Sequence, residues 1–264
     1  MPNGMPTIKN KQIKITTDKP VFFVSDHHFG LDTEWTSLER EKIFVNWLDD
    51  VKNHAGAIFI LGDLFDVWYE YKTAVPKGFV RVLGKLAELT DNGIPVYFFT
   101  GNHDMWMLDY FEKELNIPVY FNPVEATIND KNFLLGHGDG LGPGDKKYKL
   151  LKKLFTNKIA QWAFRWLHPD LGLRLAQYLS RENKAISGEY DQKFLGEANE
   201  WLYLYSKEYL KKNPHIDFFV FGHRHLPLQM KLNDKSFYYN SGDWLHHFTY
   251  LEFENAKLSL KKFK

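Results

Sequence analysis

Short apolar runs alternate with amphipathic segments through the first half of the chain. Runs rich in branched and aromatic residues predict three buried strands, at 20–25, 57–61 and 96–100. Segments with apolar residues at helical spacing predict three helices, at 34–51, 79–90 and 105–115. Strands that alternate with helices favour a parallel sheet covered by helices on both faces.

The second half of the chain has a different pattern. Five more apolar runs predict strands, at 132–136, 218–221, 228–231, 237–240 and 248–254. About eighty residues of largely helical pattern separate the first two of them. The sequence therefore predicts an α/β fold of two packed sheets with outer helices. We expect one domain over 1–264, with a helical insertion at 144–190.

Polar motifs follow five of the predicted strands. They are Asp26-His27-His28, Gly62-Asp63, Gly101-Asn102-His103-Asp104, Gly136-His137-Gly138-Asp139 and Gly222-His223-Arg224-His225. In open α/β sheets, ligands bind outside the carboxyl ends of the strands. Each motif alone is also compatible with an ordinary turn, but five such motifs in succession predict one metal site.

The spacing within two motifs indicates which side chains point together. In an extended segment, residues two apart point to the same side. Asp26 and His28 are then expected to reach one metal while His27 points away. His223 and His225 have the same spacing.

The composition narrows the metal chemistry. The chain has no cysteine, so any metal is held by nitrogen and oxygen ligands. Mixed carboxylate, amide and imidazole ligands suit Mn²⁺, Fe²⁺ or Zn²⁺ better than Ca²⁺ or Mg²⁺. Seven candidate ligands exceed the need of one ion, whereas two ions about 3.5–4 Å apart and bridged by one carboxylate would use them all. The expected reaction is hydrolysis of a phosphate ester or anhydride.

The order of these motifs resembles the calcineurin-like metallophosphoesterases over about 21–244. The resemblance implies a four-layer α/β/β/α sandwich. It implies that one metal is held by Asp26, His28, Asp63 and His225, and the other by Asp63, Asn102, His137 and His223. It also implies that His103 stabilises the phosphate or protonates the leaving oxygen, and that Asp104 orients His103.

Within that family, three features resemble the UDP-2,3-diacylglucosamine pyrophosphatases of lipid A synthesis. They are Gly62-Asp63-Leu64-Phe65-Asp66-Val67-Trp68, the helical insertion and Gly242-Asp243-Trp244. The resemblance implies release of UMP and 2,3-diacylglucosamine 1-phosphate, and a cap over an acyl-chain pocket. Arg181, Asn183 and Lys184 resemble the cap segment that meets the substrate. The chain departs from the proteobacterial members at His103, where they usually carry Arg.

The insertion has an aromatic stripe beside basic residues. Leu151, Phe155, Ile159, Trp162 and Trp166 recur at helical spacing, and lysines flank them. Ten basic and three acidic residues between Asp145 and Lys184 give this segment a charge of +7 in a chain of net charge +1. A basic amphipathic helix with Trp and Phe is typical of a membrane-surface segment. The alternative is that the stripe belongs to the core and that the lysines form a solvated face.

The absence of cysteine, of a signal-peptide pattern and of a membrane-spanning run favours a cytoplasmic protein, here one peripheral on the inner membrane of a Gram-negative bacterium. Three other functions remain open. A general phosphoesterase for nucleotides is expected to carry a polar cap, and a protein-binding scaffold is expected to have lost metal ligands. A nucleic-acid hydrolase would use the lysines on phosphates, but here they alternate with large aliphatic residues, so no nucleic-acid partner is expected. The pattern does not indicate an oligomeric state.

Overall fold

Two six-stranded sheets form the centre of the molecule. The computed structural model describes residues 12–143, 146–187, 193–194 and 196–264, apart from the side chains at 146–148, 151, 154, 179 and 181–187. The strands are β1 (Ile13–Ile15), β2 (Val21–Val24), β3 (Ala57–Leu61), β4 (Val96–Phe99), β5 (Val119–Tyr120), β6 (Val124–Ile128), β7 (Lys131–Leu135), β8 (Phe218–Phe221), β9 (Pro227–Lys231), β10 (Phe237–Ser241), β11 (Thr249–Glu254) and β12 (Lys257–Lys262). One sheet has the order β12-β11-β2-β3-β4-β5 and the other β1-β6-β7-β8-β10-β9.

Helices cover both outer faces of the sheets. They are α1 (Ser37–Val51), α2 (Val80–Asp91), α3 (Tyr110–Glu114), α4 (Lys146–Phe155), α5 (Lys158–Phe164), α6 (Pro169–Ser187) and α7 (Trp201–Lys212), with a 3-10 turn at Glu197–Asn199. Helix α1 begins with a capping box, in which the Thr36 side chain accepts from the Glu39 backbone and the Glu39 carboxylate accepts from Thr36. These hydrogen bonds fix the end of the loop that follows the first motif.

Three apolar clusters show that the sheets and helices form four layers. One lies between α1, α2 and the β2–β4 face, and includes Phe44 and Trp47. The second lies between the two sheets, where the Phe23 ring stacks on those of Phe59 and Phe133. The third packs α7 against the far face of the second sheet. The predicted α/β/β/α sandwich is thus confirmed.

Most predicted elements are found at or near their expected residues. The predicted helix at 105–115 is mostly wrong, since a helix exists only over Tyr110–Glu114. The preceding residues instead form backbone links to a neighbouring loop, from Trp68 N to His103 O and from Glu70 N to Trp106 O. Strands β1, β5, β6 and β12 were not predicted. Two of them are short and two alternate polar with apolar residues, so none presents a continuous apolar run.

Helices α4, α5 and α6 occupy the described part of the predicted insertion. Their side chains divide the predicted aromatic stripe: Phe155 is half-buried, whereas Trp162 and Trp166 are 60% and 77% exposed. The core interpretation therefore does not hold for these tryptophans. Leu151 lies outside the described side chains. In the described part of the chain, every helix is too short or too polar to cross a bilayer.

Candidate metal centre

The five motifs meet at one edge of the sandwich because the strands before them are parallel neighbours. Strands β2, β3 and β4 pair in parallel in one sheet, and β7 pairs with β8 in the other. Backbone hydrogen bonds continue beyond the strands: His27 N and His28 N both donate to Asp63 O, at 2.9 Å. Gly222 N donates to His137 O at 2.9 Å in the same way. Each motif is therefore held in register with the next.

Most of the predicted ligands have a left-handed backbone. The φ angles are 57° at Asp26, 47° at His28, 52° at Asp63, 67° at His223 and 55° at His225. Such conformations cost on the order of 1–3 kcal/mol each in non-glycine residues and concentrate at functional sites. Asp26 and His28 do reach the same place, but the geometric reason predicted from the sequence is wrong. The segment is not extended, and left-handed turns aim the two side chains.

Two glycines leave space for the carboxylates. A Cβ atom at Gly101 would overlap Asp63 Oδ1, and one at Gly222 would overlap Asp26 Oδ2 and Ser25 Oγ. Any side chain at either position would displace a predicted ligand. The glycines in these motifs therefore serve the packing of the centre rather than a turn alone.

Asp26, His28 and His225 form the first group of ligand atoms. Their atoms lie within 4.8 Å of one another. His225 Nε2 is 3.4 Å and His28 Nε2 is 3.9 Å from Asp26 Oδ1. The two imidazoles stack at a centroid distance of 5.0 Å, so both present ring edges to the same space.

Asp63, His137 and His223 form the second group, with ligand atoms also within 4.8 Å. His137 Nε2 lies 3.3 Å from Asp63 Oδ2 and 3.2 Å from Asn102 Oδ1. His137 Nδ1 faces the backbone oxygen of Leu61 at 2.8 Å, and donation there leaves Nε2 with a lone pair for a ligand bond. This group therefore contains the four residues expected around one ion.

Asp63 stands between the two groups. Its Oδ2 is 3.6 Å from His28 Nε2 in one group and 3.3 Å from His137 Nε2 in the other. Its Oδ1 accepts from His103 N at 2.9 Å, which fixes the carboxylate plane. A carboxylate in this position can bridge two ions.

The charges and the buried ligand atoms of the site fit divalent cations. Asp26 Oδ1 is buried and accepts no hydrogen bond from the described residues. Burial would raise the pKa of Asp63, but His137 and His103 hold it well below its usual value. Burial would lower the pKa of His137, yet Asp63 raises it to about 10. The carboxylates thus favour positive charge between them, which divalent cations supply.

Burial, followed by repulsion from His137, lowers the pKa of His223 to about 3. Its imidazole is therefore neutral near pH 7. A neutral imidazole is the form that binds a metal.

Asp243 supports His225 from behind. Its Oδ2 is 3.5 Å from His225 Nδ1, and its Oδ1 accepts backbone N–H groups from Leu245, His246 and His247. Burial would raise the pKa of Asp243, but the hydrogen bonds from His225 and His247 hold it far below its usual value. A carboxylate behind a ligating imidazole fixes its tautomer and orientation.

The His103 ring contacts Asp66, whereas the described contacts of the Asp104 carboxylate are with backbone nitrogens. His103 Nδ1 is 2.9 Å from Asp66 O and 3.6 Å from Asp66 Oδ1. The Asp104 carboxylate instead accepts from the backbone nitrogens of Gly101 and Leu64, at 2.7 and 2.9 Å. The Asp104 carboxylate therefore joins the two loops, and Asp66 is the acidic residue beside the His103 ring. Asp66 Oδ1 is also 3.6 Å from His28 Nδ1.

Among the described side chains of helix α6, that of Ser180 contacts this centre. The buried Ser180 hydroxyl lies 3.1 and 3.2 Å from the Asp66 carboxylate oxygens and 3.2 Å from His103 Nδ1. The predicted substrate residues Arg181, Asn183 and Lys184 follow on the same helix, and their side chains lie outside the described part of the structure.

Sequence reasoning assigned no role to Asp66, Asp243 or Ser180, although the first two stand in quoted motifs. The signal for Asp66 was its position three residues after Asp63; nothing in the sequence pattern pointed to Ser180. His27 is placed as predicted, since its buried ring packs against Phe44 and Trp244 on the side away from the ligands.

Comparison with known proteins agrees with this geometry. The model of the calcineurin-like phosphoesterases matches residues 19–227. The chain belongs to the calcineurin-like phosphoesterase family. A UDP-2,3-diacylglucosamine hydrolase of Porphyromonas gingivalis is 35% identical over 91% of this chain and 96% of its own length. One of Shewanella baltica is 26% identical over 84% of this chain and 88% of its own.

Family membership and the His/Asp groups together establish a metal-dependent hydrolase that uses divalent ions. They argue against a scaffold without activity, because each of the seven predicted ligand positions retains a residue able to bind metal.

Proposed function

We propose that this enzyme hydrolyses the pyrophosphate of UDP-2,3-diacylglucosamine to UMP and 2,3-diacylglucosamine 1-phosphate in lipid A synthesis. One observation carries the proposal: five strand ends gather seven ligand residues in a chain that matches UDP-2,3-diacylglucosamine hydrolases over most of its length. The His103 position, where Arg is usual in proteobacterial members, makes the substrate the point to test.

The metal ligands are assigned from the two groups. Asp26, His28, Asp63 and His225 would hold one ion, and Asp63, Asn102, His137 and His223 the other. We assign Mn²⁺ as the preferred ion, with Fe²⁺ and Zn²⁺ as alternatives, because the donors are mixed oxygen and imidazole nitrogen. When bound, such a pair clamps the phosphoryl group and lowers the pKa of the attacking water.

The protein's own residues supply orientation and the proton. Because His103 Nδ1 faces Asp66 O, a proton on Nδ1 is held there and Nε2 is left to meet the substrate. In its protonated form His103 carries a proton on Nε2 that can pass to the leaving oxygen. Asp66 also faces His28 Nδ1, so one carboxylate positions both imidazoles.

Helices α4, α5 and α6 are assigned as the cap insertion over 144–190. Three contacts that join them to the catalytic loops support this. Trp106 Nε1 donates to Phe155 O at 2.6 Å, and Tyr69 OH donates to Gln161 O at 3.0 Å. Ser180 adds the contact to Asp66. We place the sugar and its acyl chains beneath this cap, with Arg181, Asn183 and Lys184 as substrate contacts.

The outer face of the cap is assigned to the surface of the cytoplasmic membrane leaflet. Six large apolar side chains of this segment are exposed: Leu150, Ile159, Trp162, Trp166, Leu171 and Leu175. The Trp162 and Trp166 rings contact each other. The exposed Lys153, Lys158 and Arg165 lie on the same helices. Each basic residue near an anionic leaflet contributes about 1 kcal/mol to the binding free energy. Tryptophan side chains that enter the membrane interface add to that binding. Because its acyl chains hold the substrate in the membrane, the enzyme is expected to bind it at the membrane surface.

The first test compares three substrates with Mn²⁺ present: UDP-2,3-diacylglucosamine, UDP-N-acetylglucosamine and a small aryl phosphodiester. Strong preference for the diacylated substrate, with UMP released, supports the proposal. Equal or faster turnover of the small substrates would retain the two-metal hydrolase and leave a general nucleotide phosphoesterase as the function. Parallel assays with Fe²⁺ and Zn²⁺ rank the metals.

A further inference from the structure

A cavity of about 290 Å³ lies beside the metal centre, between helix α6 and the loop that precedes α2. The loop contributes Lys77 and Phe79, and helix α6 contributes Arg174 and Gln177. The described residues that line it include none of the predicted metal ligands. The cavity therefore needs its own explanation.

The cavity shares a wall with the catalytic centre. Asp66 and Phe29 line it, and the Asp66 carboxylate is 3.6 Å from the imidazoles of His28 and His103. The Asp66 side chain thus lies between the cavity and these two imidazoles. The cavity is therefore adjacent to the place where a phosphate is expected to bind.

Phe79 occupies a strained position in this cavity. Its φ angle is 57°, an uncommon conformation for a bulky residue. Neighbouring glycines accommodate this conformation. Gly78 has a φ of 108°. The Phe79 ring packs over Gly30, where an added Cβ would lie 3.3 Å from the ring carbon Cζ. Strain of this kind concentrates at ligand sites, and here it presents an aromatic ring to the cavity.

The polar side chains of the cavity are two carboxylates, Asp66 and Asp170, together with two cations and an amide. Lys77, Arg174 and Gln177 are exposed, and within the described chain neither Lys77 nor Arg174 forms an ion pair. Two unpaired cations suit a phosphate or ribose oxygen. The Gln177 amide offers both a donor and an acceptor, which is what the edge of a base requires.

We propose that this cavity binds the uridine group of the nucleotide half of the substrate, an inference that rests on the proposed function. The Phe79 ring stacks on the base, Gln177 reads its edge, and Lys77 and Arg174 contact the sugar and phosphate oxygens. The volume is at the lower limit of small-molecule pockets, about 300 Å³, and suits one nucleoside rather than two acyl chains. The charged rim also opposes acyl chains.

The experiment measures binding of UMP and of ribose 5-phosphate to the full chain with Mn²⁺ by calorimetry. Base stacking on an aromatic ring gives UMP an advantage of about tenfold over the compound that lacks the base. Arg174→Ala and Lys77→Ala should each weaken UMP binding about three- to tenfold. Gln177→Trp fills the cavity and should remove the advantage of UMP. Lys158→Ala, an exposed cation outside the cavity, is the matched control.

Loss of the UMP advantage in Gln177→Trp, with ribose 5-phosphate binding unchanged, supports the site. Equal binding of both compounds by the wild-type chain, or UMP binding indifferent to all three substitutions, overturns it. Turnover of UDP-2,3-diacylglucosamine, measured on the same preparation, reports the proposed function separately. If the enzyme turns over the substrate but the cavity substitutions leave UMP binding unchanged, the proposed function is retained and the uridine site is refuted. If the substitutions weaken UMP binding but no turnover is seen, the site is retained and the proposed function is refuted.

Discussion

The metal centre and the cap helices use aromatic and charged residues in opposite ways. At the centre, His28, Asp63 and His137 are no more than 3% exposed and are fixed by strand ends from both sheets. On the cap, Trp162 and Trp166 are at least 60% exposed. Rigid burial sets ligand positions for chemistry, whereas an exposed apolar face is available to a partner.

Among the described residues, a few polar side chains join the two regions. Lys152 of α4 contacts Asp139 at 2.5 Å, and Ser180 of α6 contacts Asp66. Burial would raise the pKa of Asp139, but His137 and then Lys152 hold it below its usual value. Changes in the centre should therefore affect all substrates, whereas changes on the outer cap should affect only substrates that carry lipid.

The largest effect is expected from Asp63→Ala, because this carboxylate lies between the two ligand groups and contacts a histidine of each. Activity on every substrate should fall by roughly 1,000-fold or more, and bound metal should fall with it. Metal content by elemental analysis and turnover of the aryl phosphodiester measure the two losses. Asp234→Ala, a fully exposed carboxylate, is the control. Full activity in Asp63→Ala would refute the centre.

Gly101→Ala should give the next largest effect, because the added Cβ overlaps Asp63 Oδ1. Metal affinity is expected to fall about 100-fold, as measured by titration of activity with Mn²⁺. Gly84→Ala is the matched control, since a Cβ there meets nothing within 4 Å and lies within helix α2. The control should stabilise the fold by about 0.5–1 kcal/mol. Equal metal affinity in the two variants would contradict the packing argument.

Asp66→Asn and Asp104→Asn distinguish the contributions of the two carboxylates near His103. Asp66→Asn should lower kcat about 10- to 100-fold with little change in unfolding free energy, because Asp66 orients imidazoles. Asp104→Asn should cost about 1–3 kcal/mol of stability, because its oxygens accept two backbone N–H groups. Kinetics and denaturant unfolding on both variants measure this. The reverse pattern would restore Asp104 as the residue that orients His103.

Trp162→Ala combined with Trp166→Ala should give the smallest and most selective effect. Turnover of the diacylated substrate and binding to anionic vesicles should fall about tenfold, because apolar contact with lipid is lost. The aryl phosphodiester should be unaffected, and stability should change by less than about 0.5 kcal/mol, since both rings are exposed. Leu38→Ala, an exposed apolar change on α1, is the control. Equal losses on both substrates would refute a lipid role.

Much of the centre was predictable because its ligands follow apolar strands that are easily recognised. Strands β2, β3 and β4 lie where the apolar runs predict them, and their ends bear Asp26, Asp63 and Asn102. The helix predicted at 105–115 failed because its first residues bond to the 68–70 loop, a contact distant in sequence. Local periodicity carries no information about such partners.

By itself the sequence predicted the α/β fold, the sheet edge where the motifs meet and the candidate ligand residues, because apolar strands and the polar residues that follow them are recognised from local pattern. Only the tertiary structure placed Asp66 rather than Asp104 beside the His103 ring, and gave Asp26 and His28 their left-handed backbone. It alone brought Ser180 and the cavity at Phe79 to the site. These features depend on segments far apart in the chain, and their positions are set by packing rather than by local pattern.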